Sequence, residues 1–155
     1  MKKMWFAVLI AVSAGTIFAA GNSEDTSDGH DYGHFKSVDI RIPAETVLER
    51  GSDWAVDAEI PDRYVRDVRI RNDGGTLVVD TDSLRLRRGD VIRFVITMPE
   101  IESVRLTSSG SIESRDDWTG DTVQLSLTGS GDVEVAKGAD IEEISMSGSG
   151  NFRQR

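Results

Sequence analysis

The residues with the most reactive side chains are few, and their spacing narrows what they can do. Two histidines occur in the chain, His30 and His34, within the stretch Asp28-Gly29-His30-Asp31-Tyr32-Gly33-His34. Imidazole and carboxylate donors in this pattern would suit zinc or copper if one helical face held them. Gly29 and Gly33 oppose a helix there, so the stretch reads as solvated tail. A Ser-His-acid triad needs a histidine held inside a fold, and both histidines fall in that tail. There is no cysteine. That excludes disulfides, thiolate metal sites, thiol catalysis and a cysteine-linked lipid anchor.

Paired carboxylates are the remaining catalytic option, because two of them can cleave a glycosidic bond. Asp116-Asp117 and Glu142-Glu143 are the candidates. Neighbours on a strand point to opposite faces, so neither pair makes a natural dyad, and both read as loops between strands. Asp132 in Gly129-Ser130-Gly131-Asp132-Val133 invites comparison with calcium-binding nonapeptide repeats. Those require a nine-residue period with an aspartate in each copy. Trp54 and Trp118 could stack on sugar rings. Trp54 alternates with apolar neighbours and reads as core, whereas Trp118 stands in a loop context next to Thr119-Gly120. No phosphate-cradling Gly-Lys-Ser/Thr sequence is present. No catalytic, cofactor-binding or metal-ligating residue is therefore assigned, and an enzyme is not expected.

The elements that would position these residues are strands. Val38, Ile40 and Ile42 alternate with Asp39 and Arg41, and Trp54, Val56 and Ala58 alternate with Ala55 and Asp57. That is the period of a strand with one buried face. Val68 and Ile70, the turn Asn72-Asp73-Gly74-Gly75, then Leu77 and Val79 read as a hairpin. Val91 to Met98 is nearly continuous in apolar residues, which predicts a strand covered on both faces, ended by Pro99.

An internal repeat dominates the second half. Gly110, Gly131 and Gly150 recur about twenty residues apart, and the columns around them agree. Val104, Leu125 and Ile144 share one column, and Leu106, Leu127 and Met146 share the next alternate one. Ser109, Ser130 and Ser149 precede the glycine; Ser111, Asp132 and Asn151 follow it; Ile112, Val133 and Phe152 close the unit. A period near twenty is the size of one solenoid coil. The expectation is an all-β, β-solenoid (β-helix-like) domain in which the alternating columns point inward and stack. The glycines should mark corners with positive φ, and the serine and threonine columns should form hydrogen-bonded ladders.

The segment Ile96-Thr97-Met98-Pro99-Glu100-Ile101-Glu102-Ser103-Val104, with the Gly-Ser turns at 108–112, 128–133 and 147–152, resembles the putative auto-transporter adhesin head GIN domain family. Phe35 to Ile42 and the Gly-Gly-Thr-Leu of Asp73 to Val79 fit the same pattern. The resemblance implies a β-helix-like fold in exported bacterial proteins and an adhesin-like role. It carries over no catalytic or binding residue.

Export agrees with the N-terminus. Lys2 and Lys3 precede an uncharged apolar run from Met4 to Ala20, the layout of a signal peptide cleaved after Ala19, Ala20 or Gly21. The organisation is then a leader at 1–21, a flexible polar linker at 22–34 and the repeat domain at 35–155. The formal net charge is −9, and losing Lys2 and Lys3 makes the remainder more acidic. Such a surface repels nucleic acid and anionic bilayers, and no stable membrane insertion is expected after cleavage. The expected role is an exported, non-catalytic adhesin-like or cell-envelope interaction module in the periplasm or at the cell surface. Its expected partner is an envelope protein or glycan. Homo-oligomers are expected from the open edge near Phe152. The alternative is a periplasmic carbohydrate-active enzyme on the same scaffold.

Overall fold

The computed structural model describes residues 31–155. The leader at 1–21, residues 22–30 of the linker and His30 lie outside the described residues. Twelve strands follow one another: β1 (Ser37–Ile40), β2 (Glu45–Arg50), β3 (Ala55–Glu59), β4 (Val68–Asp73), β5 (Thr76–Thr81), β6 (Arg93–Met98), β7 (Ser103–Thr107), β8 (Ser111–Ser114), β9 (Thr122–Gly129), β10 (Asp132–Val135), β11 (Asp140–Gly148) and β12 (Asn151–Gln154). A single 3-10 turn, Asp62–Tyr64, is the helical element among the described residues.

The strands form two six-stranded mixed sheets. The first runs β11-β9-β7-β1-β5-β4 and the second β12-β10-β8-β2-β6-β3. Pairing is parallel throughout, apart from β4 against β5 and β3 against β6. From β6 onward each strand lies in the opposite sheet from its predecessor, so β5–β6, β7–β8, β9–β10 and β11–β12 make successive two-strand layers. The first layer in sequence is not at an end. β1 sits between β5 and β7, and β2 between β6 and β8. The connection from Met98 to Ser103 therefore passes the β1–β2 layer. It is tied there by Glu102 N–H donating to the Lys36 carbonyl at 2.7 Å and by Lys36 Nζ lying 2.8 Å from Glu100.

The repeat columns align strand to strand. Leu77, Val38, Val104, Leu125 and Ile144 are register partners across the first sheet, as are Val79, Ile40, Leu106, Leu127 and Met146. Phe94, Thr46, Ile112, Val133 and Phe152 form the matching row of the second sheet. Period-two alternation turns these rows toward the space between the sheets, where most of them join one core with Trp118, Phe35, Ile42 and Met98. Burial of such a side chain stabilises by about 1.5–3 kcal/mol. The rows run out at the β11–β12 layer: Leu106 is 0% exposed, but Ile144 and Met146 are 46% and 48% exposed.

Three local expectations need correction. β6 is not covered on both sides. Phe94, Ile96 and Met98 are buried, but Val95 and Thr97 are only half-buried, because the outer face of the sheet is open. The Gly110, Gly131 and Gly150 column does not take positive φ. That conformation belongs to Gly129 and Gly148, both at φ 123°. The column is glycine because layers touch there. A Cβ on Gly131 would collide with the Gly110 carbonyl oxygen and lie 2.7 Å from Leu106 Cδ2. Finally, no side-chain hydrogen bond links Ser109, Ser130 and Ser149. The ladder is in the backbone, where Ser111, Asp132 and Asn151 N–H groups donate to the carbonyls of Ala44, Gly110 and Gly131 at 2.9, 3.1 and 3.2 Å. One side-chain rung, Asn151 Nδ2 to Asp132 Oδ1 at 2.9 Å, lies just beyond the glycine.

Candidate interaction surface

The residues between the core positions are turned outward, and parallel register lines them up at about 4.8 Å intervals. On the first sheet one row reads Arg71, Val78, Asp39, Arg105, Ser126, Ser145. Its β4–β5–β1 end is an arginine–aspartate network. Arg71 Nη1 and Arg69 Nε both donate to Asp80, the latter at 3.1 Å, and Arg69 also forks onto Asp82 with two bonds of 2.7 Å. Arg41 donates twice to Asp39 Oδ2, at 3.0 and 2.8 Å, and Arg105 Nη1 stands 4.0 Å away. The bond from Arg71, with help from Arg69, holds the Asp80 carboxyl below its ordinary range although burial pushes the other way.

The β7–β9–β11 end carries short hydroxyl side chains and forms a shallow depression of about 270 Å³. Ser103, Arg105, Gln124, Ser126, Glu143 and Ser145 supply its outward-facing lining. Hydroxyl, amide, guanidinium and carboxylate groups stand here on a flat and repetitive support. Such a surface offers alternating donors and acceptors to a polyhydroxylated or polar partner.

The outer face of the second sheet holds a juxtaposition not anticipated from adjacent residues. Glu113 and Glu134 are register partners on β8 and β10. Arg155 bridges them, with Nη2 2.7 Å from Glu113 and Nε on Glu134. The repeat alignment carried the signal, since Glu113, Glu134 and Arg153 occupy the same column two residues after the row of Ser111, Asp132 and Asn151. Only the parallel register turns that column into neighbours.

The structure separates the sequence-derived candidates. Asp116 accepts the Arg50 backbone N–H at 2.7 Å. Asp117 accepts the Thr119 hydroxyl and its N–H, and these bonds hold the Asp117 carboxyl below its ordinary range. Both acids shape the β8–β9 connection. Glu142 and Glu143 are not in a loop. They lie in β11 at a register irregularity between Ile141 and Glu143. Trp118 is fully buried, with Arg50 over its ring at 5.6 Å, so the loop context did not expose it. Trp54 is half-buried against the core, donates Nε1–H to the Phe35 carbonyl at 2.7 Å and stacks on His34 at 3.9 Å. Asn72 Nδ2 donates to the carbonyls of Tyr32 and His34 at 2.7 and 2.9 Å. Among the described residues no group of three or more His, Asp or Glu side chains is placed to hold a metal ion. No helix among them is long and apolar enough to cross a membrane.

Known structures share this architecture. A "putative lipid binding protein" of Parabacteroides distasonis aligns with a TM-score of 0.61 at 17% identity, covering 79% of this chain and 54% of that one. A "putative adhesin" of the same species gives 0.61 at 11% identity, over 79% of this chain and 52% of that one. A "putative adhesin" of Parabacteroides merdae gives 0.51 at 8% identity, over 79% and 92%. At these identities the likeness is one of fold, and the chain spans about half the length of the first two. No curated protein matches it. The sequence model described as "Putative auto-transporter adhesin, head GIN domain" matches residues 34–155, essentially every residue of the two sheets. The chain therefore belongs to the putative auto-transporter adhesin head GIN domain family.

Proposed function

We propose that this chain is an exported, non-catalytic interaction module of the bacterial cell envelope, in the periplasm or at the cell surface. Its stacked layers make a β-solenoid that displays the outer face of the first sheet to an envelope glycan or protein. The observation that carries this reading is the polar depression across β7, β9 and β11, whose Arg105, Gln124, Glu143 and serine hydroxyls stand free of the core. Support comes from the apolar leader sequence, from the adhesin family and from the engagement of Asp116 and Asp117 in backbone bonds. One structural relative carries a lipid-binding name. The polar lining here suits a glycan better than an acyl chain.

The test is a binding and turnover assay on a panel of envelope polysaccharides. Wild-type protein should retain one or more of them without releasing product. Arg105→Ala together with Ser126→Val should abolish retention while leaving the melting temperature within a few degrees. Product release lost in Asp116→Asn or Asp117→Asn would establish the carbohydrate-active enzyme instead. Retention unaffected by the double variant would move the site off this face.

A further inference from the structure

Two connecting segments close the core at the β3–β4 end. One joins β3 to β4 and the other joins β5 to β6. Tyr64 of the first is buried, and Leu84 and Leu86 of the second pack against the core. The Tyr64 hydroxyl ties the two together: it accepts the Arg87 N–H at 2.9 Å and donates to Asp90 at 2.7 Å. In Leu84-Arg85-Leu86-Arg87 the leucines turn inward, which leaves Arg85 and Arg87 exposed. The Asp90 N–H donates to the Arg87 carbonyl at 3.0 Å and Gly89 takes φ of 92°, so the chain reverses with Arg88 in the turn. Arg66 is exposed on the neighbouring segment, two residues beyond Tyr64.

These arginines stand apart from the rest of the charge. Arg63 is held by Asp90 at 3.4 Å, and Arg69 and Arg71 are paired with Asp80 and Asp82. Arg66, Arg85, Arg87 and Arg88 have no ion pair or side-chain hydrogen bond among the described residues. Residues 60–92 carry seven arginines against six aspartates, whereas the described residues outside that stretch carry 18 acids against nine basic residues. Four unpaired guanidinium groups on two bonded segments thus make a basic cap on an acidic molecule. Asp62 and Asp67, also unpaired, are the exposed acids of the Arg66 segment.

A guanidinium fork matches a carboxylate with two parallel hydrogen bonds, so the cap suits an anionic partner. Shape decides among such partners. A bilayer would bring its charge up against the whole acidic molecule, whereas a thin chain meets only the cap. A single-stranded nucleic acid needs aromatic faces to stack on, and Tyr64, the one aromatic residue of these two segments, is buried. The centre of a protein interface is apolar, and Leu84 and Leu86 are turned into the core here. We propose that Arg66, Arg85, Arg87 and Arg88 form a binding site for an acidic polysaccharide, with the guanidinium groups holding carboxylates of successive uronic acid units. The site shares no residue with the depression on the first sheet, so a negative result here leaves that surface untouched.

Titration of labelled polygalacturonate with the full chain, followed by fluorescence anisotropy, tests this. Binding should weaken steeply between about 20 and 200 mM salt, because contact releases counterions condensed on the polymer. Arg85→Gln, Arg87→Gln and Arg88→Gln together should weaken it about tenfold or more and flatten that salt dependence. Arg66→Gln, on the other segment, should weaken it by a smaller factor. Asp62→Asn with Asp67→Asn should tighten it by removing repulsion beside the cap. None of these side chains has a partner to lose among the described residues, so melting should stay within a few degrees of wild type. Wild-type binding that is absent, or is matched by neutral dextran, would overturn the proposal. So would tighter binding to phosphatidylglycerol vesicles or to single-stranded DNA, or arginine variants that bind as wild type does.

Discussion

Gly131 has a backbone any residue can adopt, yet it has no room for a side chain, since the Gly110 carbonyl and Leu106 Cδ2 stand where a Cβ would go. A steric cause differs from a conformational one in what it predicts. Gly131→Ala should destabilise by about 1–3 kcal/mol through displaced layers, and urea denaturation measures it. A change below a few tenths would mean that the layers part easily. Asp80 is the second instructive residue. The arginines lower its folded pKa below the unfolded value near 3.8, so the unfolded chain takes up this proton first as pH falls. The stabilisation is complete above that value and disappears as pH drops through the folded pKa. Asp80→Asn should therefore melt below wild type at about pH 6, and the gap should narrow by about pH 3. A gap constant with pH would show that charge is not what Asp80 contributes.

Within each strand the alternation decides which side chains face the core, but the layer decides how much each is worth. Leu106 and Met146 occupy one repeat column, yet Leu106 is 0% exposed between two layers and Met146 is 48% exposed on the outermost one. Leu106→Ala should cost about 2–5 kcal/mol, the range for a core truncation. Met146→Ala should cost under about 1 kcal/mol in the monomer, because most of its transfer energy is not collected there. Denaturation midpoints at low protein concentration compare the two directly, and equal losses would contradict the layered arrangement. The β4–β5 hairpin was legible for a local reason: Asn72-Asp73-Gly74-Gly75 demands a turn, and Gly74 and Gly75 do take φ of 58° and 89°. The core position of Trp118 was not legible. Its neighbours Arg115, Asp116 and Asp117 look like a solvated loop, whereas in the tertiary structure the segment is tied to Leu48 and Arg50 and the indole joins the core.

Across the whole molecule, the sequence by itself determined the all-β character, the strand faces and the columns of the repeat. These follow from local periodicity and from a chemical match between copies, and the register of β7 through β12 agrees with them residue for residue at Leu106, Leu127 and Met146. It also placed Glu113 and Glu134 in one column without showing that they touch. The tertiary structure alone decided that β1 and β2 lie in the middle of the stack and that the β3–β4 end is covered while the β11–β12 end is open. It also decided that hydroxyls and charges from three strands share one depression. The physical reason is that parallel strands have no turn between them. Which strand lies beside which depends on long connections and on the fit of distant side chains, and neither leaves a periodic trace in the chain.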